Sequence, residues 1–308
     1  MQRRKAIIDI GTNTFNLLLV EFTDNGSFDI IYEEKLPVKL GKGSMTDGIL
    51  KPEAIKRAIE ALKKHIQTCK EHKTEEISAF ATSAVRSAKN KNEFRDIILK
   101  ECNLDIEVIS GDREAELIYY GVRHAVPLKK DEVYLILDIG GGSNEFIICN
   151  HNQIIWKKSY NLGIARLLEI INPQDPITQS DIDLLKQKTD ELISDLIDAC
   201  KKFNPRILLG ASGSFETYAS MIVHEYHGSD IILKSISHLE IFREDFDNLY
   251  QKLIKSDREG RKNMPGLPLW RIDMIVLAAV FTKYIMDLFQ LEKIIFSDYA
   301  LKEGVVLQ

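Results

Sequence analysis

One short pattern occurs twice in this chain, and a chain that repeats it is expected to fold as two related halves. The first copy is Ala6-Ile7-Ile8-Asp9-Ile10-Gly11-Thr12-Asn13-Thr14, running into Leu17-Leu18-Leu19-Val20. The second is Leu135-Ile136-Leu137-Asp138-Ile139-Gly140-Gly141-Gly142-Ser143-Asn144-Glu145, running into Phe146-Ile147-Ile148. Each reads as an apolar strand carrying an aspartate, a tight turn of small residues, and a second strand. Glycine lets the backbone approach an anion closely and turn its amides inward, and the Thr, Ser and Asn side chains add donors. Asp9 and Asp138 cannot bind phosphate directly, because both partners are anionic; a hard cation such as Mg²⁺ or an ordered water must stand between them. A single glycine turn is a weak signal, whereas two copies with Asp, Ile and Gly in the same order point to two lobes facing one phosphate site. Neither copy continues into Gly-Lys-Ser/Thr, and neither opens a helix with G-x-G-x-x-G, so P-loop and dinucleotide folds are set aside.

The 308 residues, 44% hydrophobic and 28% charged, suffice for two compact domains. No apolar run is long enough to span a bilayer, and Met1-Gln2-Arg3-Arg4-Lys5 leads straight into a strand. The expectation is therefore a cytoplasmic protein with no signal peptide and no membrane attachment. Cys69, Cys102, Cys149 and Cys200 are far apart without Cys-x-x-Cys spacing, which reads as reduced thiols and not as disulfides or zinc ligands. A net charge of −5 disfavours general nucleic-acid binding but leaves room for a small polyanion bound in a locally basic cleft.

Periodicity predicts a third strand over 30–40, an amphipathic helix over 51–70, a strand over 77–81, a helix over 92–101, and a strand over 106–109 feeding a helix from about 110 to 126. The polar stretch 127–132 suggests the lobe boundary. Beyond it, a long helix is expected over 178–203 with a Thr178…Asp181 capping box, and a strand over 206–210 ending in Ala211, Ser212, Gly213 and Ser214. Ser237 with Glu240 suggests a second capping box, followed by a loop over 258–270, an apolar helix over 271–289, a strand over 293–297 and a terminal helix. Strands alternating with helices in two halves give an α/β protein with a central cleft.

The chain resembles the exopolyphosphatase and guanosine pentaphosphate phosphohydrolase family (Ppx/GppA phosphatases), within the actin, sugar-kinase and heat-shock-chaperone superfamily. The resemblance covers nearly the whole chain. It rests on the two loops, Ala81-Thr82-Ser83-Ala84-Val85-Arg86, Ile109-Ser110-Gly111 with Glu114-Ala115, Asn161-Leu162-Gly163, Met264-Pro265-Gly266-Leu267, Arg271-Ile272-Asp273 and Leu301-Lys302-Glu303-Gly304. It implies two actin-like (ribonuclease H-like) lobes around a central phosphate-binding cleft: 1–127, joined by the C-terminal helix 299–308, and 128–298, without the extra C-terminal helical domain of many relatives. It implies removal of terminal phosphate from inorganic polyphosphate, short chains above all, or from guanosine pentaphosphate, using water with Mg²⁺ or Mn²⁺; the oligomeric state is left open, a homodimer being one option. Glu114 matches the catalytic glutamate. Asp138 and Glu145 match acids that hold or position the metal, Asp9 matches the equivalent acid of the first loop, and Arg86 matches a phosphate-holding basic residue. Arg113, Asn144, the Ser212-Gly213-Ser214 turn and Lys302 depart from the family pattern, and Arg113 and Lys302 bear on substrate preference.

The residues at hand suit that chemistry. Hydrolysis of a phosphoanhydride needs an aligned water, charge neutralisation and little covalent work. Glu114 can align or deprotonate water, Gly11, Thr12, Asn13 and Thr14 with Gly140, Gly141, Gly142, Ser143 and Asn144 can donate to phosphate oxygens, and Arg86 can grip one bidentately. Without the resemblance, Glu114 reads as an ordinary helix-start acid and Arg86 as half of an ion pair. Asp112 and Glu116 read as solvated helix-start charges. His224-Glu225-Tyr226-His227 lacks the spacing of a zinc helix. The cluster Arg258, Arg261 and Lys262 is more simply loop charge than a polyanion site. A superfamily kinase or ATPase, or a weakly catalytic sensor of polyphosphate or alarmones, are the competing classes.

Overall fold

In a computed structural model that describes residues 3–24, 26–44, 47–74 and 76–308, the chain forms two α/β units, each built on one mixed sheet. Met1 and Gln2, which entered the reading of the amino terminus, lie outside the described residues. The first sheet contains β1 (Arg4–Ile10), β2 (Thr14–Phe22), β3 (Phe28–Pro37), β4 (Glu76–Ala81) and β5 (Glu107–Val108) in the order β3-β2-β1-β4-β5. The second contains β6 (Tyr134–Ile139), β7 (Asn144–Cys149), β8 (Ile154–Tyr160), β9 (Ile207–Ala211), β10 (His238–Phe242) and β11 (Lys293–Ser297) in the order β10-β11-β9-β6-β7-β8. In both, an antiparallel meander of three strands is followed by two strands parallel to the first; β10 is an added antiparallel edge. The repeat in the sequence is thus a repeat of topology, as the actin-like resemblance implies.

In the first unit, α1 (Pro52–Glu71) buries Ala54, Ile55, Ala58, Ala61, Leu62, His65 and Cys69 at helical spacing. That stripe joins Ala6, Ile8, Ile10, Phe15, Leu17 and Leu19 in one core, with α2 (Ser83–Arg86) and α3 (Lys91–Cys102) closing its flank. Each fully buried Leu or Ile there stabilises the unit by about 1.5–3 kcal/mol. The edge strand β3 alternates between half-buried and exposed positions, as a strand with one face in water should. After β5 comes α4 (Gly111–Ala125).

In the second unit every residue of β6 and β7 is buried, the signature of central strands covered on both faces. The cover comes from α5 (Ile164–Ile171), α6 (Gln179–Asp190), α7 (Ser194–Phe203), α8 (Ser212–His227), α9 (Arg243–Lys255) and the apolar α11 (Ile275–Leu288), which follows the short α10 (Arg258–Lys262). The last helix is α12 (Leu301–Val306). The compact units comprise 1–114 with 305–308, and 115–304, so the divisions fall inside α4 and α12. No helix among the described residues is long and apolar enough to cross a membrane.

Three expectations change. The single helix over 178–203 is two helices. The Thr178–Asp181 capping box forms as predicted, but the Thr189 hydroxyl donates back to the Leu185 carbonyl, a bond that bends helices, and fully buried Ile193 occupies the break. Ser237 and Glu240 do not cap a helix, because residues 238–242 pair with β11 in register and bury Ile241; α9 starts only at Arg243. The 258–270 loop holds α10, capped by Asp257 accepting from the Gly260 amide. Its basic cluster is tied down: Arg261 is buried against Asp175 at 2.8 Å, Arg258 meets Asp273 at 2.8 Å, and Lys262 meets Glu259 at 2.5 Å.

Candidate functional site

All the candidate residues sit where parallel strands end, the edge at which open α/β sheets bind ligands. In the first unit, β1 runs into the 11–14 loop, β4 into Thr82 and Arg86, and β5 into Ser110 and Glu114. In the second, β6 runs into the 140–143 loop and β9 into Ser212, Gly213 and Ser214.

The two loops close in the same way. The Gly11 amide donates to the Thr14 carbonyl at 3.2 Å, and the Gly140 amide donates to the Ser143 carbonyl at 3.1 Å. Their flanking strands are in identical register: Asp9 stands opposite Asn16, and Asp138 opposite Glu145. Asn16, which the sequence reading passed over, is therefore the counterpart of Glu145, and its Nδ2 donates to Asp9 Oδ2 at 2.8 Å. Laying one repeat over the other residue by residue would have found it.

Glu114 is buried, at the first turn of α4, and Arg86 Nη1 donates to its Oε2 at 2.6 Å and to the Ile109 carbonyl at 3.2 Å. The Ser110 hydroxyl accepts from the Arg113 amide, and the Arg113 side chain reaches Gln308. Glu116 is not merely solvated: it pairs with Lys157 of β8. In the first loop Thr12 is buried, while Asn13 and Thr14 are half-buried.

In the second unit Asp138 and Glu145 are directly opposed across β6 and β7, and both are buried. Glu145 Oε1 accepts from Ser143 Oγ at 2.7 Å and Ser159 Oγ at 2.6 Å, and Asp138 Oδ2 accepts from Ser212 Oγ at 2.6 Å. A hydroxyl has one proton, so Ser143 and Ser212 spend theirs on these acids, and what remains for a phosphate is backbone N–H. Asn144 has a different task from the one expected: it is fully enclosed and donates to the Leu162 carbonyl at 2.8 Å, which removes its side chain from the phosphate-facing set.

Ser212 has a φ of 69°, the left-handed region, a strained state for a residue with a Cβ that is often tied to function. Beside it Gly213 leaves no room for a side chain, since an added Cβ would fall 1.5 Å from Arg271 Nη2. The Arg271 guanidinium is thus packed closely against the turn, Nη2 foremost; burial lowers its pKa from the ordinary value while nearby Glu216 favours the charge. The family motif contained Arg271, but spacing alone gave no sign of this contact. The two histidines of the zinc-like string are not gathered: His224 Nε2 lies 3.5 Å from Asp230, and Glu225 pairs with Lys252.

Two buried carboxylates face to face repel each other, and a divalent cation would offset that. Mg²⁺ is ordinarily held by one or two carboxylates, several waters and substrate phosphates, so the Asp138–Glu145 pair fits it. Among the described residues no group of three or more His, Cys, Asp or Glu side chains is arranged to hold a metal, so water and phosphate would complete its shell. Asp9 with Asn16 offers a weaker set, one acid and one amide.

The Ppx/GppA phosphatase family matches residues 19–308. The crystal structure of an exopolyphosphatase from Cytophaga hutchinsonii is 39% identical with a TM-score of 0.94, covering 99% of this chain and 96% of that one. An Aquifex aeolicus Ppx/GppA family member is 25% identical with a TM-score of 0.78, covering 100% and 97%. A bifunctional 3-dehydroquinate synthase/phosphatase from Fusobacterium nucleatum is 33% identical over 315 residues, which is 99% of this chain but 46% of that protein. With its paired loops, its opposed acids and this match over most of its length, the chain belongs to the Ppx/GppA phosphatase family.

Proposed function

We propose that this protein releases terminal phosphate from inorganic polyphosphate by attack of water. Membership of the family makes it a hydrolase of phosphoric anhydride bonds. The observation that carries the finer reading is the Arg86–Glu114 pair, a buried acid held at the same strand-end edge as the 11–14 loop. In this reading Glu114 aligns the attacking water and takes its proton. The amides of each loop hold phosphate oxygens, with Arg86 in the first unit and Arg271 in the second, and Ser143, Ser159 and Ser212 orient the acids. Mg²⁺ or Mn²⁺, when bound by Asp138 and Glu145, would neutralise charge on the transferring group. The four free cysteines suit a reducing compartment, and we place the protein in the cytoplasm.

The test is phosphate release from a panel of polyphosphates and guanosine pentaphosphate with Mg²⁺. Release from polyphosphate is the expected result. Release from the nucleotide alone would move the protein to alarmone metabolism, and release from neither would remove the proposal.

A further inference from the structure

The 140–143 loop is held from behind by α5. The Gly140 carbonyl accepts from the Ile164 amide at 3.0 Å, and the Gly141 carbonyl accepts from Ala165 at 2.9 Å and Arg166 at 3.2 Å. The Gly142 carbonyl accepts from Arg166 Nε at 3.2 Å. Helix and loop approach this closely because residue 163 is glycine: a Cβ there would lie 2.4 Å from Gly141 and Gly142. In a trans peptide the N–H points opposite to the C=O. Three successive carbonyls turned towards α5 therefore turn the N–H groups of Gly141, Gly142 and Ser143 to the other side. Those of Gly141 and Gly142 have no acceptor among the described residues.

The three peptides are not held alike. Helix backbone amides, which any residue supplies, hold the first two. The third, between Gly142 and Ser143, depends on a side chain, and glycine reorients at little cost. The first unit braces its loop differently. Thr12 and Asn13 carbonyls accept from the amides of Gly41, Val38 and Lys39, and Arg57 of α1 in turn donates to the Val38 and Lys39 carbonyls at 2.7 and 2.9 Å.

We infer that Arg166 is a positioning residue that, through its Nε–H, holds the Gly142–Ser143 peptide with its amide presented for phosphate. This rests on the reading of the loop as phosphate-binding. The hydrogen-bonding atom is what matters, and two substitutions separate it from the charge. Glutamine carries its Nε2 on Cδ, as arginine carries Nε, so Arg166→Gln keeps a donor at that position and removes the charge. Lysine has a methylene there, so Arg166→Lys keeps the charge and removes the donor.

The experiment measures tripolyphosphate binding by calorimetry and the amide resonances of residues 141–143 without ligand, on the full chain. Arg166→Gln is expected to bind within about twofold of the unsubstituted protein and to leave the resonances in place, while Arg166→Lys binds roughly tenfold more weakly and shifts or broadens them. The reverse order would overturn the inference in favour of a direct charge contact. Two variants alike in both readouts, or an Arg166→Lys protein that does not fold, would also overturn it. If the unsubstituted protein fails to bind tripolyphosphate but Arg166→Lys still moves the loop resonances while Arg166→Gln does not, the brace stands and the phosphate reading of the loop falls.

Discussion

Arg86 Nη1 stands 2.6 Å from Glu114 Oε2, so one guanidinium orients the buried acid that the mechanism assigns to water. Glu114→Gln keeps the shape and a polar contact but removes the base. It is expected to lower kcat on the order of 10²–10⁴-fold with an unchanged thermal unfolding curve. Turnover near the starting value would show that another group activates water. Glu116→Gln, which breaks the half-exposed pair with Lys157, is the control and should leave turnover close to normal.

Arg86→Ala should cost about 1.5–3 kcal/mol in kcat/KM, the range for a lost hydrogen bond to a charged group. A residue that only gripped substrate would show the loss in KM, least at high salt. Because the same side chain holds Glu114, kcat should fall as well. Steady-state kinetics at two ionic strengths check this; an effect confined to KM would mean that Glu114 keeps its orientation without Arg86.

Chelation should abolish phosphate release. Direct Mn²⁺ titration should show affinity falling at least about tenfold in Glu145→Gln, and on the order of 10–100-fold in Ser159→Ala, whose hydroxyl orients the Glu145 carboxylate. Asn16→Ala should change it much less. Equal losses for Asn16 and Glu145 would show that metal affinity does not rest on Glu145 in particular.

Burial pushes the thiols of Cys149 and Cys200 up to about 12 and that of Cys69 up to about 11, from an ordinary value of 9.0. The folded pKa is the higher one, so the unfolded chain releases these protons first. This contribution to stability is complete below about pH 9 and is lost as pH rises from there towards 11–12. The melting temperature should fall over that window, and replacing Cys149 with Ala should flatten the fall. At pH 8, iodoacetamide followed by mass spectrometry should label half-buried Cys102 before the other three.

The duplicated hairpin, the strand and helix alternation and the acids were legible because apolar periodicity and small-residue turns are local signals. Asn16 was missed because an amide in a strand looks ordinary until the opposite repeat shows an acid at its place. Arg166 and Arg57 were missed for another reason: the loop-bracing bonds run to backbone carbonyls, that of Gly142 24 residues from Arg166 and those of Val38 and Lys39 19 and 18 residues from Arg57, and no side-chain pattern marks a carbonyl. Ser237 and Glu240 misled because a capping box and an edge strand are both rich in polar residues, and only pairing with β11 decides between them.

The shared register of the two hairpins also governs how such a protein can diverge. A strand alternates its faces every residue, so inserting or deleting one residue between Asp138 and Glu145, or between Asp9 and Asn16, would rotate one member of the pair out of the site and into the core. The chemistry at these positions is open to exchange, as an amide in one half and an acid in the other already demonstrate. The spacing is not. Variation here is confined to substitution, and an engineered change of specificity should preserve loop length while altering what the loop carries.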